Sequence, residues 1–321
     1  MGFKPVTLDL PAAEPAVRAW SLLGGQPPNP ASVQILKDRN ASHVYRLTGA
    51  APDGSNVIAK RCPTDGAVRE RAIYQEVLWR LPVPSLRYYG LVEEQDTDFC
   101  WAFLEDAGGV PYSAAVPRHG RLAAEWLATL HSGGLSLARG LGLGSQGSNM
   151  YLGCLRSGRL RILQSLDNLA LSPDDSDVLV RLAAQCDMAE ALWPRIEECC
   201  SAAPTAFLHA DLHAANVHVS EDCSTLLPFD WESAGAGPLA IDLALPGLDL
   251  AAYQSCVRSV WPEMELSTLE KFAVVGRLFQ LLAHIDWESK GLSTQWLHRP
   301  MKHMRFYLEE LPKALNEGQL L

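Results

Sequence analysis

Three oxygen-bearing residues stand in a set order within HADLHAANVHVSEDCSTLLPFDWE: Asp211, then Asn216 five positions on, then Asp230. Moving a γ-phosphoryl group to a hydroxyl needs a carboxylate within reach of the acceptor, and hard oxygen ligands that hold Mg²⁺ against the phosphates. Asp211 suits the first role, and Asn216 and Asp230 suit the second. The four residues between Asp211 and Asn216 let the loop turn, so that the carboxylate faces an acceptor while the amide faces a metal. Upstream, Lys60 closes the β-branched run NVIAK, where an ammonium can reach the α- and β-phosphates. A helix glutamate is then expected to hold that ammonium. In VRERAIYQEVL we take Glu70, eleven residues before LPVP, over Glu76. Singly, Asp211 reads as a turn carboxylate, Asn216 as a cap and Lys60 as a strand-end surface lysine. Their order along one chain favours the chemistry.

Such residues need elements to hold them. From 33 to about 103 short strand-like runs dominate: SVQILK, SHVYRLTG, NVIAK after a PDG turn, and DFCWAFLE. They predict an antiparallel sheet with one inserted helix over roughly 66–81. In that helix Val68, Ala72, Ile73, Leu78 and Trp79 recur near helical spacing, and Pro82 and Pro84 end it. After AGGVP at 107–111 the pattern becomes helical. Residues 118–131 repeat Leu122, Trp126, Leu127 and Leu130 and are expected to stop at Gly133-Gly134, while 177–199 and 263–289 read as amphipathic helices. Residues 133–147 and 172–177 look loosest. Between helices, NVHV and LLPFD are expected to pair around an acidic turn. The fold class is therefore α+β, with a β-rich lobe over 1–106 and a mainly helical lobe over 107–321.

Composition excludes other classes. With 321 residues, 48% hydrophobic and 20% charged, the chain buries a sizeable core and is not disordered. Twenty-seven basic against 37 acidic residues leave a net charge of −10, which disfavours a general nucleic-acid binder. Eight cysteines without a CxxC pair suggest reduced thiols rather than a zinc site or disulfide framework. The opening MGFKPVTLDLPAAEP breaks before an apolar signal region forms, Val6 stands where myristoylation would want Ser or Thr, and no apolar run reaches membrane-spanning length. A cytoplasmic protein without membrane or nucleic-acid partners is expected.

In order along the chain, Lys60, Arg69-Glu70, LPVP at 81–84, FLEDAGG at 103–109, LATLH at 127–131, HADLHAANV and FDWESAGAGPLAIDLA resemble the aminoglycoside phosphotransferase and choline kinase-like superfamily of small-molecule kinases. His209 to Asn216 matches the loop pattern H-x-D-x-x-x-x-N. The resemblance implies a bilobal protein-kinase-like fold with ATP or GTP in the cleft, Mg²⁺ as cofactor, and a small-molecule hydroxyl as acceptor. It implies that the Glu105 carbonyl and the Ala107 amide hold adenine, and that Asp242 braces the catalytic loop. The glycine-free DRNASH loop resembles the phosphate-covering loop of the antibiotic kinases, with Asn40 and Ser42 as donors. Two departures stand out. Ala210 occupies a position usually held by Gly, which is tolerable at negative φ and strained at positive φ. After Asp230 comes Trp-Glu rather than Phe-Gly, with no A-P-E, which disfavours a protein kinase.

In that superfamily the C-terminal part lines the acceptor pocket, so Asp286, Trp287 and Glu288 in AHIDWESKG become candidate substrate contacts for a cationic or sugar-like molecule. A solvated helix end is the alternative. The other helical tryptophans, including Trp126, Trp193, Trp261 and Trp296, read mainly as core. His213 is either a partner of the catalytic loop or a solvated residue. The favoured acceptor is an antibiotic of aminoglycoside or nucleoside type, which would make this a resistance enzyme. The alternative is a metabolite kinase for choline, homoserine, a sugar or a thioribose. A non-catalytic nucleotide-binding regulator ranks last, because a pure binder has no use for Asp211.

Overall fold

The computed structural model describes residues 6–8, 15–23, 29–39 and 42–318. They form two compact units. One comprises the described residues up to 113 with 136–143 and 214–234; the other comprises 114–135, 144–213 and 235 onward.

The first unit is built on a six-stranded antiparallel sheet. Its strands are β1 (Val6–Leu8), β2 (Ser32–Arg39), β3 (Ser42–Thr48), β4 (Val57–Pro63), β5 (Tyr88–Glu93) and β6 (Phe99–Glu105), in the order β1-β2-β3-β4-β6-β5. The alternation in β4 packs Val57 and Ala59 inward with Val33, Leu47, Trp101 and Phe103. Helix α1 (Pro15–Ser21) closes that core with Ala16, Val17 and Trp20. Strand β5 has no counterpart in the sequence reading. Its two-residue alternation is interrupted by a bulge between Tyr88 and Gly90, and a side chain at Gly90 would strike Leu23 Cδ2 at 2.6 Å.

The inserted helix starts at Thr64 as α2 (Thr64–Ala72), widens into a π-helical segment over Ile73–Val77 and tightens to a 3₁₀ turn at Leu78–Arg80. Its buried stripe runs Ala67, Glu70, Ile73, Tyr74, Val77 and Leu78. Val68 and Trp79, expected inside, face solvent instead. The spacing of 67, 70, 73–74 and 77–78 is helical, but it has an acid at its centre, and counting apolar residues alone misses it. A three-stranded sheet completes this unit, with β10 (Leu226–Pro228), β9 (Val217–Val219) and β7 (Val110–Pro111) in that order.

The second unit is mainly helical. Helix α3 (Pro117–Ala138) does not stop at Gly133-Gly134; a side chain at Gly134 would meet Phe207 at 3.0 Å, so the small residue serves close packing. Helix α4 (Ser148–Ser165) precedes α5 (Pro173–Ala191), which opens with a capping box between Ser172 and Asp175, not with loose chain. The helix expected through 199 breaks at Leu192, and α6 (Trp193–Ala202) restarts with Pro194 in its first turn. Strands β8 (Thr205–Leu208) and β11 (Gly235–Pro238) pair antiparallel. Helices α7 (Leu250–Val257), α8 (Leu266–Ser289) and α9 (His298–Gly318) follow. Trp126 and Trp193 are core, whereas Trp287 and Trp296 are exposed. No helix among the described residues is long and apolar enough to cross a membrane.

Candidate active site

In the first unit the chemistry converges on Lys60. It lies on β4 opposite Ala102 of β6, and is only 8% exposed. Its Nζ stands 3.4 Å from Glu70 Oε2, 3.6 Å from Glu232 Oε2 and in direct contact with Asp230 Oδ1. Burial opposes the ammonium charge, but the three carboxylates outweigh it and hold the Lys60 pKa well above the ordinary lysine value. Burial pushes Glu70 upward despite the neighbouring ammonium, with the Asp230 charge adding to the push. Glu70 is also structural: its Oε1 accepts the Trp231 backbone N–H at 3.3 Å. Glu76, the other candidate on that helix, pairs instead with Arg80 at 3.1 Å. Glu232 is an acid the sequence reading did not assign, although DWE places it two residues from Asp230.

Asn216 and Asp230 leave the same end of the β9–β10 hairpin. Val217 pairs with Pro228, and the Phe229 N–H donates to the Asn216 carbonyl at 3.0 Å. Asn216 ends a short 3₁₀ turn and is buried, while Asp230 adopts a left-handed φ of 71° that Asp tolerates better than most residues. This unit therefore gathers Lys60, Glu70 and Asp230, with Asn216 at the adjoining hairpin end.

Glu105 ends β6, where its N–H donates to the Arg87 carbonyl at 2.8 Å and its side chain accepts the Arg87 N–H at 2.9 Å. Ala107 follows in half-buried coil. Between them Asp106, which sequence reasoning passed over, accepts Arg46 Nε at 2.5 Å, Arg46 Nη2 at 3.2 Å and the Gly108 N–H at 3.3 Å. That bidentate pair fixes the chain leaving β6. Ser42 begins β3 opposite Arg39. Asn40 lies outside the described residues.

In the second unit Asp211 follows β8 through His209 and Ala210. Ala210 has a φ of 62°, the left-handed conformation that makes its methyl group costly. Asp242, 1% exposed in the 3₁₀ segment Leu239–Ala244, secures this turn: its Oδ2 accepts the His209 N–H at 2.7 Å and its Oδ1 the Ala210 N–H at 2.8 Å. His131 Nε2 lies 3.3 Å from the same carboxylate, and His131 Nδ1 lies 2.8 Å from the Tyr253 hydroxyl. Asp211 thus projects from a turn locked from beneath by a buried acid, His131 and Tyr253.

Beside Asp211 is a recess of about 30 Å³ lined by Tyr151, Leu212, Ile241, Gln280 and His284, among others. That is room for about one water. His213 Nε2 approaches Asp211 Oδ1 to 3.7 Å, and the His213 and His284 rings meet edge-on at 5.9 Å. Burial, then the neighbouring His213, holds the His284 pKa below the ordinary imidazole value.

Asp286, Trp287 and Glu288 are not among the recess's lining residues. Asp286 is bound by Arg161 and Ser157 of α4, and Glu288 by Arg299 at 3.3 Å and His303 at 3.1 Å. Trp287 is 61% exposed under Lys290, whose Nζ lies 4.5 Å from the ring centroid. Basic side chains on neighbouring helices have taken up these charges, a pairing that spacing along α8 does not announce.

Comparison with known proteins bears on the family and the fold. A family model described as the phosphotransferase enzyme family matches residues 32–249. No curated protein matches the chain in sequence. Among solved structures, a microcompartment-associated aminopropanol kinase is similar at a TM-score of 0.62 and 15% identity, covering 95% of this chain and 98% of that one. A spectinomycin phosphotransferase, solved with ADP and spectinomycin, reaches 0.60 at 11% identity over 88% of this chain and 93% of its own. The Plasmodium vivax ethanolamine kinase reaches 0.59 at 14% identity, over 89% and 84% respectively. At such identities the likeness is one of fold.

Proposed function

Because the chain belongs to the phosphotransferase enzyme family, we propose that it moves the γ-phosphoryl of ATP or GTP to a hydroxyl of a small molecule. The observation that carries this reading is the pairing of Lys60 with Glu70 and Asp230 in one unit, with Asp211 projecting from the Asp242-braced turn in the other. Lys60 would hold the α- and β-phosphates. Asp211 would take the acceptor's hydroxyl proton as that oxygen bonds to the γ-phosphorus and the bond to the leaving diphosphate breaks.

The residues fit Mg²⁺. Lys60 balances one of the three carboxylates around it, so negative charge remains, and Asn216 with Asp230 supplies hard oxygen donors. Bound there, Mg²⁺ would neutralise charge developing on the phosphates.

The acceptor is open between an antibiotic of aminoglycoside or nucleoside type and a small metabolite alcohol. A nucleotide-turnover assay with Mg²⁺ and ATP or GTP, run across aminoglycosides, nucleoside antibiotics, choline, homoserine, free sugars and short amino alcohols, tests the reading. Stimulation by one acceptor, with a phosphorylated product, is expected. Tight nucleotide binding with no product from any acceptor would favour the non-catalytic regulator.

A further inference from the structure

Asp211, His213 and His284 each offer one ligand atom, and these atoms all lie within 4.8 Å of one another. The Asp211 Oδ1 to His213 Nε2 distance is already 3.7 Å. Ligands on a tetrahedral zinc ion, with bonds near 2.0–2.1 Å, sit about 3.3–3.5 Å apart, so small side-chain rotations close the set. Two imidazoles and one carboxylate are a poor match for Mg²⁺, which wants oxygen, and a good one for Zn²⁺ and its first-row neighbours.

The three groups come from two elements held in register. Asp211 and His213 lie on the loop whose amides Asp242 accepts. His284 lies one turn along α8 from Gln280, whose Nε2 donates to the Leu212 carbonyl at 3.3 Å and so staples that loop to the same helix face. The recess lined by two of the three, Asp211 and His284, leaves space for a water as fourth ligand.

We propose that Asp211, His213 and His284 form a site for a zinc-class cation, distinct from the Mg²⁺ ligands Asn216 and Asp230, and that its occupation inhibits transfer by engaging the carboxylate the acceptor needs. The inhibitory consequence rests on the role given to Asp211 above; the metal site itself does not. Inhibition is then competitive with the acceptor and not with the nucleotide.

The test is a Co²⁺ titration of the purified full chain, read by visible absorption, with Zn²⁺ displacement. A tetrahedral nitrogen–oxygen site gives visible d–d bands without the near-ultraviolet thiolate band that cysteine binding would add. One such Co²⁺ per chain is expected, displaced by Zn²⁺, with binding weakened at least tenfold in His284→Ala and in His213→Ala. The milder His284→Gln, checked for an unchanged melting profile, guards against loss of fold. Absence of the bands, or equal titration of the wild type and both histidine variants, overturns the site. Turnover without the Co²⁺ signal would sink this inference and leave the phosphotransferase reading standing; the Co²⁺ signal without turnover would do the reverse.

Discussion

The Asp242 carboxylate accepts the backbone N–H of Ala210 at 2.8 Å, at a residue whose φ is 62°. An L-residue pays for that conformation, and the same carboxylate also takes the preceding amide of His209. The turn that presents Asp211 is therefore held against its own local preference by a buried acid 32 residues further along the chain.

Replacing the methyl group should relieve that preference. The left-handed conformation costs an L-residue about 1–2 kcal/mol, and glycine's extra unfolded-state freedom returns up to about 1 kcal/mol of that. Ala210→Gly is expected to stabilise the protein by about 0.5–1 kcal/mol, read as a higher urea midpoint. A lower midpoint would show that the clamp carries no strain.

Asp211→Ala is expected to leave nucleotide affinity nearly unchanged and to lower transfer by about 10²–10⁴-fold, the range for a positioned general base. Direct nucleotide titration beside a turnover assay reads both. Transfer at the parent rate would remove Asp211 from the reaction.

The two glutamates of the inserted helix should behave differently. Glu70 is 1% exposed and partners both Lys60 and the Trp231 amide, so Glu70→Ala takes this acceptor from the buried Trp231 N–H and one carboxylate from Lys60, at a cost of about 2–3 kcal/mol. Glu76 makes an exposed pair with Arg80, and Glu76→Ala should cost less than about 0.5 kcal/mol. Chemical unfolding of the two variants side by side decides; equal losses would contradict the assignment.

Two helical glycines give a second contrast. A methyl at Gly276 of α8 would lie 2.2 Å from the Ala240 carbonyl oxygen, in the segment that carries Asp242. Gly276→Ala should cost at least about 1–3 kcal/mol through forced separation of the two segments. At Gly153 of α4 nothing lies within 4 Å of the added methyl, and Gly153→Ala should gain about 0.5–1 kcal/mol. Melting curves for both check the packing of α8 on residues 239–244.

What the sequence determined by itself was local. The order Asp211, Asn216, Asp230 and the hairpin between the last two are set by covalent spacing and turn chemistry and could be read without a structure, as could the strand carrying Lys60, although β4 runs past that lysine to Pro63. The β4 and β6 runs were legible for the same reason, since a short apolar run bounded by turn residues is a property of neighbours. Glu70, taken over Glu76 from its place in the helix, stands 3.4 Å from Lys60 on the inward stripe. Tertiary structure decided which other charges meet. Asp286 and Glu288 are taken up by Arg161 and Arg299, one on α4 and the other on α9. His284 stands beside His213, 71 positions away in number, because Gln280 ties α8 to the loop. Side-chain pairing of this kind depends on packing between distant segments, and burial changes the worth of a charge by more than any sequence neighbour does.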